Sequence, residues 1–194
     1  ATPFEPAAFL TPHSDIVAQL VQAHQTQTHN LITQTNYQTR IALYRAAGAP
    51  LSDADRKLYE APAEELVRAL LFSGEASLDG PIQGDSGYAE EFAAQGPRDP
   101  RGRYLRDFDL RTRLFRYPCS YLIYSDAFDA LPAQAKTYVY QRLLDVLSGR
   151  EQAPEFAHLT TPDRRAILEI LLATKPGLPE AWKPYKSHHE RNNK

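Results

Sequence analysis

Residues 16–39 read IVAQLVQAHQTQTHNLITQTNYQT and contain no charged side chain. Ile16, Val17, Leu20, Val21, Leu31 and Ile32 recur at the three-to-four-residue spacing of a helix, separated by Gln, Thr, Asn, Tyr37 and two histidines, His24 and His29. A surface helix ordinarily carries Lys and Glu on its wet side. One that avoids them at this length is expected to be central, touched on several sides, with its neutral polar groups satisfied by hydrogen bonds inside the protein.

Outward from this stretch, Thr11 or Ser14 can cap the helix at its start, and Ala46-Ala47-Gly48 stops it. Ser52, with Asp55 three residues on, resembles a capping box and opens a second helix carrying Leu58, Leu66, Leu70 and Leu71 as far as Gly74. Pro62 is expected to kink that helix or split it. Two long antiparallel helices joined at Ala49-Pro50 form the expected core pair.

Residues 75–103 change character, with Gly80, Gly84, Gly87, Gly96, Gly102 and the prolines Pro81, Pro97 and Pro100 around one short helix at Ala89–Ala94. Long loops of this kind are more often functional than idle. Leu105–Arg116 fits a helix or an irregular strand, and helix is the expectation. Ser125 caps a turn through Phe128–Leu131. Ala133–Leu147 is a helix ending at Gly149, and Thr161, followed by Pro162, opens a last helix that stops at Lys175-Pro176-Gly177. Residues 1–13 read as an extended arm and 187–194 as a loose tail. The whole is expected to be a single all-α domain, an irregular bundle of about five or six helices with a long central loop region.

The composition narrows function mainly by exclusion. A net charge of −2 gives no general attraction to nucleic acid, and the longest apolar runs, such as Ala69-Leu70-Leu71-Phe72, are far too short for a membrane span. The single cysteine, Cys119, rules out an internal disulfide, a thiolate metal cluster or a CxxCH haem attachment site within these residues. With no methionine, the chain also lacks a His/Met axial pair of its own.

Three constellations bear chemistry. His24 and His29, five residues apart, point about 140° away from each other on a helix and do not share a metal. His24 keeps company with Thr28 and Leu31, and His29 with Thr33, Asn36 and Arg40. The plain reading is two hydrogen-bonded imidazoles in a polar helix, and the sharper one is that either faces a cofactor. Arg98, Arg101, Arg103, Arg106, Arg111, Arg113 and Arg116 crowd one segment together with Asp99, Asp107 and Asp109. Such a mixture is ordinarily an ion-pair network, here with Glu90 or Glu91 as further partners, although forked guanidinium groups also suit an anionic ligand. Cys119 precedes the apolar Tyr121-Leu122-Ile123-Tyr124 with no histidine nearby, which fits a packed thiol better than a reactive one.

Thr11–Val17, His24–Asn30, Gly96–Asp99, Leu105–Ser125, Phe128–Pro132 and Thr174–Pro179 together resemble the C-terminal part of a family of uncharacterised bacterial exported proteins whose N-terminal part carries a CxxCH haem motif. The resemblance implies a periplasmic c-type cytochrome-like protein with an electron-transfer role, of which this chain, lacking CxxCH, is one piece. It implies a haem c attached outside these residues, on a haem-bearing polypeptide or domain. His24 and His29 are then candidate contacts or a distal ligand to that haem, and Arg40, Arg111 and Arg113 candidate partners of its propionates. The rival expectation is a cofactor-free helical interaction module.

Overall fold

The computed structural model describes residues 14–185 and is all-helical, with six α-helices and three short 3₁₀ turns among those residues. The arm at 1–13, Thr11 included, and the tail at 187–194 lie outside the described residues. None of the described helices is long and apolar enough to cross a membrane.

Helix α1 spans Ile16–Ala46 and is capped by Asp15, one residue beyond the expected Ser14. The Asp15 carboxylate accepts from Val17 N and Ala18 N at 2.8 and 3.0 Å, and its second oxygen accepts from Asp85 N, Ser86 N and the Ser86 hydroxyl. One side chain therefore caps the helix and anchors the distant loop, a task a single serine hydroxyl cannot perform. The Ser86 hydroxyl and the backbone donors hold the carboxyl down at about 2. At the far end Ala47 is left-handed, with φ +49°.

The expectation that α1 is central is met in part: it packs against most of the other elements, but along one side only. Val17, Val21, Thr28, Ile32, Thr35, Thr39 and Ala42 form one buried stripe, while the opposite face, from Ile16 to Tyr44, lies in solvent. Neutral Gln, Thr and Asn mark an uncharged outer face here, not enclosure. Helix α2, Asp53–Leu70, is capped by Ser52, which accepts from Asp55 N as the sequence suggests. Pro62 does not split it: the proline is buried mid-helix in a continuous element. Tyr59 near the start of α2 packs with Ala42 near the end of α1, and Phe72 just beyond α2 stacks on His24, so the two helices run antiparallel.

The next segment departs most from expectation. Helix α3 is short, Tyr88–Ala94. Residues 105–116 are not helical: Phe108 and Phe115 form an isolated antiparallel bridge, with Arg116 N donating to Asp107 O and Asp109 N to Leu114 O. Asp109 Oδ1 accepts from the backbone of Arg111 and Thr112, both at 2.8 Å, closing a tight turn in which Leu110 takes φ +57°. The Phe108 and Phe115 rings then stack at 5.1 Å. Apolar residues spaced like a helical face are here the two arms of a hairpin.

Beyond the 3₁₀ turn Tyr121–Tyr124, α4 (Asp126–Asp129) is capped by Ser125, and α5 occupies Ala133–Leu147 with left-handed Gly149 after it. Helix α6, Thr161–Thr174, is capped by Thr160 rather than by Thr161. Thr160 is the threonine three residues before Asp163, and the two close a reciprocal capping box. The core gathers Leu66, Leu70, Leu105, Phe115, Ile123, Phe128, Leu143 and Ile170, and Trp182 at 1% exposure seals one side against Tyr140.

Candidate functional site

A concavity among the described residues opens where α2 ends. Leu71 N donates to Val67 O and Phe72 N to Ala69 O, after which Phe72 adopts φ +56°, a left-handed conformation uncommon for a bulky residue. The exposed carbonyls are met by groups from far away in sequence: Ser120 N donates to Leu70 O at 2.7 Å, and His158 Nε2 lies 2.7 Å from Leu71 O. Because a carbonyl only accepts, His158 carries its proton on Nε2. Ser73 Oγ donates to Glu155 O, fixing the same turn to the segment before α6.

This turn forms one wall of a groove with two limbs. The larger, about 720 Å³, is lined by Leu31, Ala69, Phe72, Pro118 and Pro154 together with Arg68, Arg113, Glu75, Glu155 and His158. The smaller, about 360 Å³, adds Leu20, Ala23, His24, Leu78 and Leu114 and shares the wall from Phe72 to Ser77. The left-handed turn swings the Phe72 ring back onto His24, at 4.2 Å and nearly parallel, with Phe115 and Tyr121 around them.

His24 Nε2 lies 2.7 Å from Ser120 Oγ. That oxygen already accepts from Leu122 N as the cap of the 3₁₀ turn, so its own proton points to the imidazole and His24 is the acceptor. Burial pushes His24 down to about 4, which keeps it neutral at ordinary pH. The pair has the spacing of a base and a nucleophile. Ser120, however, has no exposed surface, and its oxygen is committed to the backbone, so the contact is a structural clasp.

Of the residues singled out in the sequence, His24 and Arg113 adjoin the groove, on limbs that share a wall. His29 is exposed on α1, Arg40 donates to Asn36 Oδ1 in solvent, and Arg111 is exposed at the hairpin turn; none of these three lines the groove. Arg113 Nη2 donates to Asp163 Oδ1 at 2.7 Å and to Arg116 O. Arg68 bonds Glu65 and Glu155. Both arginines keep a buried Nε with no hydrogen-bond partner.

The rest of the arginine cluster is the expected ion-pair network with Asp99 and Asp107, joined by an acid the sequence did not mark. Arg98 pairs with Asp107, and Arg103 with Asp99 and Glu169, while Arg101 and Arg165 also reach Glu169. The acid at its centre thus comes from α6, not from Glu90 or Glu91. Arg106 lies over the Phe92 and Tyr121 rings at 4.6 and 4.8 Å. Cys119 is fully buried, and burial pushes its thiol up to about 12, so it is unreactive packing.

Glu75 went unmarked in the sequence, as did Phe72 and Ser120. The residue as a whole is exposed, yet its carboxyl is crowded by the groove walls, and that desolvation pushes it up to about 7 against the opposing pull of Arg113. No local pattern announces it, because the groove is assembled from four separated segments. Among the described residues no group of three His, Cys, Asp or Glu side chains is placed to hold a metal ion.

The side chains present were weighed against a haem. The apolar walls and the side chains of Arg68 and Arg113 suit a flat macrocycle edge with anionic substituents. His24 does not suit an axial ligand in this arrangement, because Nε2 is taken by Ser120 and the ring is stacked. Comparison with known protein families, curated proteins and solved structures returned no match to the chain.

Proposed function

We propose that this chain is the helical part of a periplasmic c-type cytochrome-like protein, and that the groove at the end of α2 faces a haem c carried on another domain or polypeptide. The observation that carries the reading is the groove itself: an apolar lining of Leu31, Phe72 and Pro118 combined with the guanidinium-bearing Arg68 and Arg113. The family resemblance of the sequence supplies the haem and the compartment. When bound, haem c supplies one-electron exchange. This chain's residues exclude water from one edge of it, offer guanidinium groups to its carboxylates, and keep a neutral His24–Phe72 stack as a rigid wall.

An intact mass and an absorption scan of the protein from its native source test the reading. The expected result is a mass well above 21.9 kDa with a Soret band. A mass equal to that of this chain, with no visible band, overturns it. The second reading, a cofactor-free interaction module, rests on a separate observation: Arg68 and Arg113 already hold carboxylates from Glu155 and Asp163, which lowers their need for a further anion. A colourless protein that still buries this groove against a partner polypeptide favours it.

A further inference from the structure

A separate concavity of about 410 Å³ lies against α5 and shares no lining residue with the groove at the end of α2. Ala133, Lys136, Thr137 and Tyr140, at the three-and-four-residue spacing of one helix face, form its floor. Pro176 and Pro179 form the facing wall, where the chain turns at left-handed Gly177.

Helix α5 begins without the features that ordinarily balance a helix N-terminus. Pro132 at the cap position supplies no side-chain acceptor, and the first turn carries no acid. Lys136 then adds a positive charge where the helix end is already positive. Its Nζ donates to the Asp129 carbonyl at 2.7 Å and keeps two further N–H donors. Asp129 also borders the concavity, but its Oδ1 is held at 2.6 Å by Lys175, whose side chain is 1% exposed.

Tyr140 is an independent sign of a ligand. The residue is 4% exposed, and its ring is held by Phe128 and Trp182. Its hydroxyl nevertheless has no hydrogen-bond partner among the described residues, and it opens on the concavity instead of being sealed in the core. A buried tyrosine ordinarily finds a partner for its O–H. Helical side chains lean toward the helix N-terminus, which carries this hydroxyl back toward Lys136 and Ala133.

We propose that this concavity binds a small monocarboxylate with a flat apolar body. The carboxylate accepts from Lys136 Nζ and the Tyr140 hydroxyl beside the uncapped start of α5, and the body lies along Pro176 and Pro179. Charge selects the class. Lys136 and Lys175 against Asp129 leave one net positive charge, reinforced by the helix end, which one negative charge balances. A cation leaves the ammonium and the helix amides unmatched, since these groups only donate. A dianion meets the Asp129 carboxylate with twice the repulsion.

NMR titration of the backbone amides of the full chain with benzoate to about 20 mM tests this, a range that brackets an expected Kd on the order of 1 mM. The expected result is saturable shifts at Ala133, Lys136 and Gly177. Benzamide, of the same shape without the charge, is expected to bind at least about fivefold more weakly, and phenyl phosphate no more tightly than benzoate. Tyr140→Phe removes the hydroxyl and keeps the ring against Trp182, and Lys136→Gln removes the charge; each is expected to weaken benzoate about threefold or more at unchanged Tm. Absence of saturation, equal binding of benzamide, tighter binding of phenyl phosphate, or undiminished binding by both variants overturns the proposal. So do saturable shifts confined to Phe72 and Arg113, which place benzoate in the other groove.

Discussion

Two carboxylates set near arginines mark two regions of different character. On α6, Glu169 is 5% exposed and receives guanidinium groups from Arg101, Arg103 and Arg165 at 2.7–3.0 Å. In the groove at the end of α2, Glu75 has no guanidinium bonded to it among the described residues, and Arg113 acts on it only through space. In the first region charge is matched and buried, tying the 99–103 loop to the last helix. In the second, one carboxyl is crowded but left unmatched beside an open cavity. The density of arginines therefore locates architecture, whereas the unmatched group locates the surface able to respond to a ligand or to pH.

Removing the matched acid gives the largest expected effect. Glu169→Ala leaves Arg103, at 16% side-chain exposure, with Asp99 alone, and is expected to cost about 3 kcal/mol in denaturant unfolding. Glu169→Gln keeps an acceptor and costs roughly half of that. Equal losses for the two variants would show that the negative charge, which both remove, dominates over the packing and the acceptor that only Gln keeps.

The next effect is smaller and belongs to the wall of the groove. His24 titrates at about 4 in the fold against an ordinary 6.5, so its folded-state pKa is depressed. The neutral ring is the form the fold accepts: its contribution is fully present above pH 6.5 and is lost as pH falls toward 4. Stability of the native chain is expected to drop by about 2 kcal/mol across that window, and His24→Phe is expected to flatten that part of the profile. A profile unchanged by His24→Phe would remove the buried imidazole as its cause.

Much of the frame was legible because its signals are local. Ser52 with Asp55, Gly149 after α5 and Pro162 in the first turn of α6 each act within a few residues, and those helices begin and end close to where the sequence puts them. The cap at Thr160 was missed by one residue because two threonines adjoin, and only the spacing to Asp163 distinguishes them. The hairpin at 105–116 was missed because the imperfect alternation of Leu105, Phe108, Leu110, Leu114 and Phe115 fits a helix or a strand, while the turn depends on an Asp109 side chain bonding its own backbone. The groove was the least legible part. His24 was visible as a polar residue on the inner face of α1, but its partner Ser120 lies 96 residues away. Glu75 acquires its character only from walls that the sequence does not bring together.

Glu75 provides the finest test of the contrast with Glu169. Its carboxyl titrates at about 7 against an ordinary 4.5, so the folded state favours the protonated form. A raised pKa contributes stability that is fully present below pH 4.5 and is lost as pH rises through 7, opposite in sign to His24 over an overlapping range. Solvent reaches this residue, which discounts the effect to less than about 1 kcal/mol. Glu75→Gln is therefore expected to stabilise the protein slightly above pH 7 and to leave it unchanged below pH 4.5. In the native chain the two groups partly cancel between pH 4.5 and 6.5, and the double variant with His24→Phe should show the flattest profile of the series. If Glu75→Gln instead destabilises at pH 8, the carboxylate is matched by a partner after all, and the groove is built by the same charge pairing as the Glu169 cluster.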